Sequence, residues 1–358
     1  PTYQATHYLK DAIQTKDGDY IVVGEIGGEP GPGGHDQKGQ AFVLRMSDYG
    51  NVQWIKRYGI RNTLPDSFTE VVEANDGGFV IVGNKIEERE FYFYDDFWII
   101  KVDENGDEEW SLEIGQNDRY DKANDIIKLS DGSYIATGWS FIDDGIAAMR
   151  LVRVSSDGNI IWNKLAGGNG WYDIGTSLAV NNNETVLFSI GDFRSRYRAQ
   201  IENSIFGKVL KFNKKNKDYE VISMGHRNPQ GLFYNEDENF LLEAEHGPQG
   251  GDEINVIKLD NNTIQNFGWA ISSYGEHYGG KNAPENKNKY EKYPLHKSHS
   301  EHGFIEPLKY FNPSIGISQI IGLDNENQYV VASLKAHSLY FFEYYNNNKE
   351  NNFNIVKK

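Results

Sequence analysis

One pattern recurs three times in the first half of the chain, and it leaves few architectures open. Its opening spans residues 11–24 (DAIQTKDGDYIVVG), then 68–83 (FTEVVEANDGGFVIVG), then 123–138 (ANDIIKLSDGSYIATG). Each copy sets an Asp-Gly turn between two runs rich in β-branched and aromatic residues, which is the signal of a β-hairpin. Each then passes through an apolar strand carrying a basic residue, a turn glycine and a tryptophan. Those triplets are Arg45, Gly50, Trp54; Lys101, Gly106, Trp110; and Arg153, Gly158, Trp162. The tryptophans are spaced by 56 and 52 residues, and Gly24, Gly83 and Gly138, which close the second strands, by 59 and 55. Four short strands in a repeat of about 55 residues make a propeller blade. No segment carries the sustained spacing of a helical solenoid.

The second half continues the count in degraded form. Residues 175–212 read as a fourth blade, 231–273 as a fifth and 307–343 as a sixth. The expected fold is therefore all-β: a six-bladed β-propeller of four-stranded antiparallel blades, running as one propeller over residues 1–358. Within it, 1–167 hold the three clear repeats, which resemble generic bacterial β-propeller repeats, and 168–358 hold the altered blades. Residues 274–302 show no periodicity and read as a long polar insertion, a kind of loop that usually serves function. Ring closure is expected to pair the first and last strands.

Composition narrows the function classes. A net charge of −16 argues against nucleic acid, whose phosphates most of the surface would repel. No apolar run reaches the length of a membrane span, so no membrane insertion is expected. The absence of cysteine removes disulfides, zinc-thiolate sites and thiol nucleophiles. A chain that opens at Pro1 rather than Met is what a cleaved leader or a late start leaves.

Two polar, Gly- and Pro-rich runs stand against apolar strands in the second half. They are residues 225–232 (GHRNPQGL) and 245–256 (EHGPQGGDEINV). Loops that serve a site look like this when they sit on strand ends. The pair, together with Gly191-Asp192, residues 203–210 (NSIFGKVL) and Ser333-Leu334-Lys335, resembles the soluble quinone-dependent glucose/sorbosone (aldose) dehydrogenases over about residues 186–345.

The resemblance implies pyrroloquinoline quinone (PQQ) and Ca2+ as cofactors, held on the propeller axis, and oxidation of a small-molecule aldose at C1 to a lactone. It also implies a periplasmic or secreted protein; no motif names the electron acceptor. Carried over, the carbonyls of Gly247 and Pro248 would bind calcium, which favours hard oxygen donors. Arg227, Asn228 and Gln230 would face the cofactor, with Arg227 stabilising the oxyanion formed as hydride arrives. Lys335 would pair with a quinone carboxylate. Asp252 and Asn255 are expected to fix loop geometry.

The match fails where the family places its histidine base. Tyr172, in residues 171–175 (WYDIG), stands at that position, and tyrosine with an ordinary pKa near 10 is a poor base. The family's terminal arginine stretch is missing too. His226, His246, His277, His296, His299, His302 and His337 fit no zinc spacing and read as surface loop residues. Three readings stay open: a sugar dehydrogenase with a rebuilt base, such as His35 or His246; a calcium-binding propeller without catalysis that binds a sugar or glycan; and a structural or interaction propeller.

Overall fold

In the computed structural model of the chain, the described residues are 7–27, 39–62, 66–89, 92–115, 119–143, 146–167, 175–180, 185–213, 218–259, 263–323, 327–335, 337–345 and 353–356. They divide into two compact units, residues 1–175 and 176–358. Among the described residues no helix is long and apolar enough to cross a membrane.

The first unit holds three antiparallel meanders. They are β1 (His7–Gln14), β2 (Tyr20–Ile26), β3 (Gly39–Met46) and β4 (Val52–Asn62); β5 (Ser67–Glu73), β6 (Phe79–Arg89), β7 (Tyr92–Val102) and β8 (Glu108–Ile114); and β9 (Asp121–Lys128), β10 (Tyr134–Asp143), β11 (Ile146–Val154) and β12 (Ile160–Gly167). The repeated residues have repeated jobs. The basic residue of each third strand pairs with the aspartate of its own hairpin turn: Arg45 with Asp17 and Asp19, Lys101 with Asp76, Arg153 with Asp131. Gly24, Gly83 and Gly138 sit where the neighbouring strand crosses too closely for a side chain. A Cβ built on each would lie 2.0, 2.0 and 1.9 Å from the carbonyl oxygens of Tyr8, Ser67 and Lys122.

The tryptophans join one blade to the next. A Cβ on Gly106 would lie 3.0 Å from the Trp54 ring, and one on Gly158 2.7 Å from the Trp110 ring. Trp110 Nε1 also donates to the Ser156 carbonyl at 3.0 Å. Between these staples lie two apolar cores. One joins Ile21, Val23 and Val43 to Phe68, Phe79 and Trp98; the other joins Val80, Val82 and Phe97 to Ile126, Tyr134 and Val152.

The second unit holds three more sheets. Its fourth blade is β13 (Gly175–Val180), β14 (Val186–Ile190), β15 (Lys208–Asn213) and β16 (Asp218–Met224). The fifth is β17 (Pro229–Asn235), β18 (Phe240–Glu245) and β19 (Asp252–Lys258), followed by the short β20 (Gln265–Asn266), which adds parallel to β16 as a fifth strand of the fourth blade. β21 (Lys309–Phe311) completes the fifth blade, and β22 (Ile317–Gly322), β23 (Gln328–Ser333), β24 (Ser338–Glu343) and β25 (Phe353–Val356) form the sixth. The described residues thus give the blade set of a six-bladed β-propeller.

Two expectations change. The fifth blade takes its last strand from beyond the insertion, because Asp252, Glu253 and Ile254 on the edge of β19 pair with Phe311, Tyr310 and Lys309. Three residues are too few to show a period, and so the sequence alone groups them with the sixth blade. The insertion carries structure: 3-10 turns at Pro284–Asn286 and Ser300–His302 and a short helix, α1 (Lys287–Lys292). Its Tyr290, Tyr293 and Leu295 pack in a small core with Ala199, Trp269 and Ala270.

Candidate active site

In an antiparallel meander, the connections from second to third strand and from fourth strand to the next blade emerge at the same end. In the second unit these are the connections 191–207, 225–228, 246–251, 312–316 and 334–337. Every described residue expected at the site, apart from Gln230 just inside β17, lies in one of them. Two buried carboxylates hold these loops together.

The first is Glu245, at the end of β18. Its Oε2 accepts the backbone N–H groups of Arg227 and Asn228, the latter at 3.3 Å. Arg227 then reaches back, its guanidinium donating to the His246 carbonyl at 2.8 Å, and His246 N–H donates to the Asn228 carbonyl at 3.0 Å. The guanidinium lies over the Trp269 ring, 5.5 Å from its centroid. Trp269 Nε1 in turn donates to Asp192 Oδ2 at 2.6 Å. Asp192 N–H donates to the Arg227 carbonyl at 2.7 Å, so the Gly191-Asp192 turn braces the arginine from behind. Burial raises the Asp192 pKa, against the pull of Trp269 and Arg227.

The second is Asp252, fully buried at the start of β19. Its Oδ1 accepts the Gly247 N–H at 3.1 Å, and its Oδ2 accepts those of Ile315, Gly316 and Ile317 at 3.0, 2.8 and 3.2 Å. The Gly316 carbonyl accepts from Leu334 N–H at 2.8 Å, and the Ile315 carbonyl from Lys335 N–H at 3.0 Å. Gly247 has to be glycine, since a Cβ there would lie 2.0 Å from the Gly251 carbonyl oxygen. Asp252 therefore fixes loop geometry as expected, linking the Gly247-Pro248 turn to the Lys335 turn. The Lys335 side chain is exposed. Gln230 spends its amide locally, donating to the Pro229 carbonyl at 2.8 Å. Tyr172 and His35 lie outside the described residues.

His246 is half-buried, its Nδ1 3.9 Å from Asp252 Oδ1. Burial lowers its pKa, opposed by Asp252 and assisted by Arg227. Across the loop, the insertion docks on the Gly-Pro turn: Gln249 and Glu276 exchange backbone hydrogen bonds at 2.9 Å each way. A third carboxylate, Glu306, organises that insertion by accepting the N–H groups of His299 and Ser300 and the Tyr274 hydroxyl at 2.7 Å. Against the cost of burial these donors hold its pKa down to about 2. Lys208 is a buried strut under the 191–207 connection, donating to the carbonyls of Arg198, Ala199 and Phe206 at 3.1, 2.9 and 2.8 Å.

The histidines correct the sequence reading in part. His302 and His337 are exposed, but His226, His277 and His299 are buried, each against an aromatic ring: Phe267, Tyr290 and Tyr274 respectively. His226 adjoins Glu243 and Glu245, a group not expected from the sequence. Burial opposes its charge, yet the two glutamates raise its pKa to about 9, while burial and Glu245 push Glu243 up to about 7. A signal existed: Glu243 and Glu245 share one face of β18, whose other residues are apolar.

Known proteins resemble this chain in sequence and in fold. Residues 141–357 match the family model of the glucose/sorbosone dehydrogenases, starting earlier than the resemblance seen in the sequence. An aldose sugar dehydrogenase of Escherichia coli (strain K12) is 31% identical over 137 residues, which cover 35% of this chain and 35% of that protein. The matched stretch thus spans about a third of that relative's length. Among solved structures, the apo-form of the soluble aldose sugar dehydrogenase from Escherichia coli aligns with a TM-score of 0.58 at 19% identity, over 80% of this chain and 85% of that one. The PQQ-bound form of the aldose sugar dehydrogenase from Streptomyces coelicolor aligns with a TM-score of 0.51 at 18% identity, over 80% of each chain. At these identities the structures speak for the propeller fold, and the family match for kinship. With more than half its length matched, the chain belongs to the glucose/sorbosone dehydrogenase family.

Proposed function

We propose that the protein is a quinone- and calcium-dependent aldose dehydrogenase that oxidises a sugar at C1 to its lactone. The observation that carries this reading is the pair of buried carboxylates, Glu245 and Asp252, which hold the loops of Arg227, of Gly247 and Pro248, and of Lys335 in one fixed set. Calcium takes hard oxygen ligands, and the carbonyls of Gly247 and Pro248 would supply two; the Pro248 oxygen accepts only a long 3.5 Å bond from Ser314 Oγ among the hydrogen bonds of the described residues. An anionic quinone needs cations in a protein of net charge −16, and Arg227 and Lys335 provide them. The amides of Asn228 and Gln230 complete the polar surroundings.

When bound, the quinone supplies the hydride acceptor and calcium polarises its carbonyl. The chain's own residues then have three tasks. Arg227 holds positive charge where an oxyanion develops, fixed by its bond to the His246 carbonyl and by the Trp269 ring. Asp252 keeps the Gly247 turn rigid, so that no reorganisation is needed during reaction. A base has to take the proton of the anomeric hydroxyl. Among the described residues His246 is the candidate for that base: it is half-buried in the loop of the Gly-Pro turn, its carbonyl bonded to Arg227, and burial lowers its pKa; Tyr172 would take the role only with a cation beside it.

The reading is tested by dye reduction with a panel of aldoses after loading with PQQ and calcium. Turnover with at least one aldose is expected. Quinone binding without turnover on any of them would favour a family member that has kept the cofactor site and lost the chemistry.

A further inference from the structure

Strand β18 carries two acidic side chains on one face, and both are sealed from water. His226, Glu243 and Asn255 expose none of their surface, and Glu245 exposes 3%. Burying four such groups is costly unless something satisfies them, and the protein does so only in part. Asn255 Nδ2 donates to Glu243 Oε2 at 2.9 Å and to Glu245 Oε1 at 3.1 Å, and His226 Nε2 lies 2.8 Å from Ser223 Oγ. His226 Nδ1, Glu243 Oε1 and Asn255 Oδ1 are left without a hydrogen-bond partner.

The spacing says what is missing. His226 Nδ1 stands 3.6 Å from Glu243 Oε2 and 3.6 Å from Glu245 Oε1. That is too long for a hydrogen bond to either oxygen. It is close to the edge of roughly 3.3 Å that separates tetrahedral ligands at zinc bond lengths. One ligand atom from each of the three residues lies within 4.8 Å of the others. Ser223 supplies the outer partner that histidine ligands usually have: with the Nε2 proton donated to its hydroxyl, Nδ1 faces the two carboxylates, and an ion there takes the place of the Nδ1 proton. The oxygen and nitrogen of an amide are distinguished only by their partners, so Asn255 turned over by 180° offers Oδ1 to the same space.

We propose that His226, Glu243 and Glu245, with Asn255 as a fourth donor, hold a structural divalent metal ion of the zinc class beneath the 225–228 loop. This centre uses other donors than the Gly247 and Pro248 carbonyls and differs in chemistry, since an imidazole nitrogen suits zinc better than calcium, while the two carboxylates also admit manganese. Because Glu245 also accepts the Arg227 and Asn228 N–H groups, the ion fixes the carboxylate that positions Arg227. The cluster is closed to solvent, so the ion enters as the chain folds.

The test is the metal content of the whole chain after unfolding with a chelator and refolding with zinc, manganese, magnesium, calcium or no metal. About one zinc or manganese per chain is expected, resistant to a calcium-selective chelator, with a Tm several degrees above that of metal-free protein. Magnesium and calcium should do neither. Protein isolated from zinc-supplemented cells gives the same readout without refolding. Glu243→Gln should lower zinc retention at least about tenfold; if that variant fails to fold, the wild-type series still decides. Wild type that holds neither zinc nor manganese, or a Glu243→Gln variant that holds zinc as well as wild type, overturns the proposal. Neither result decides the quinone reading, which is tested separately by titration with PQQ and by the Arg227→Ala variant.

Discussion

Asp252 Oδ2 accepts the Gly316 N–H at 2.8 Å, and this bond couples two loops that are 64 residues apart in sequence. The same carboxylate accepts Gly247 N–H, so the Gly-Pro turn and the turn before Lys335 share one anchor. Asp252→Asn places an amide N–H where an acceptor is needed. It is expected to cost about 2–4 kcal/mol of stability, the penalty of leaving buried donors unpaired. Quinone affinity should fall at least about tenfold with it, if a rigid turn is what the cofactor needs. Urea unfolding and quinone titration of the same preparation check both. Lost stability with unaltered affinity would separate the anchor from the site.

Arg227 meets the site through its side chain and the fold through its backbone. Its N–H and carbonyl carry the bonds to Glu245 and Asp192, and these survive truncation. Arg227→Ala is therefore expected to lower quinone-dependent dye reduction by about a hundredfold or more while leaving the Tm nearly unchanged. Steady-state kinetics beside thermal unfolding measures this, and unchanged turnover would remove Arg227 from the chemistry.

The repeat makes a prediction of its own. Gly50 and Gly158 occupy the same turn in different blades, each with a φ of +80°. A side chain at Gly50 meets open space, whereas one at Gly158 meets the Trp110 ring at 2.7 Å. Gly50→Ala should cost only the left-handed strain, about 1 kcal/mol. Gly158→Ala should cost about 1–3 kcal/mol more, as the tryptophan is pushed aside. Equal losses in denaturant unfolding would mean that the ring yields without resistance.

Glu306 ties the insertion to pH. Its folded pKa of about 2 lies below the ordinary 4.5, so its contribution is fully present above 4.5 and is lost as pH falls toward 2. Limited proteolysis within residues 274–302 should accelerate over that window in the wild type. Glu306→Gln should show the faster cleavage already at neutral pH.

How much of this was legible follows from what each residue does locally. The hairpin turns, the blade period and the staple tryptophans repeat in sequence because each blade solves the same packing problem. β21 was not legible, because three residues carry no alternation and its partner lies across a long insertion. The Gly-Pro and Arg-Asn runs could be named because their composition departs from strand and core alike. Their anchor was half visible: Asp252 lay in the motif, but that it also holds Ile315, Gly316 and Ile317 depends on a turn remote in sequence. The burial of the histidines is likewise hidden from the sequence. Loop position suggests exposure, whereas His226 is covered by Phe267 from a separate segment, and His277 and His299 by Tyr290 and Tyr274 of an insertion whose folding no periodicity announces.

The most direct measurement of the central claim is an equilibrium titration of the purified protein with PQQ, with and without calcium. The account predicts saturable binding that requires calcium, is weakened in Asp252→Asn and is followed by aldose-dependent dye reduction. No binding in the presence of calcium would contradict it and leave the chain's kinship with the dehydrogenases as a shared architecture alone.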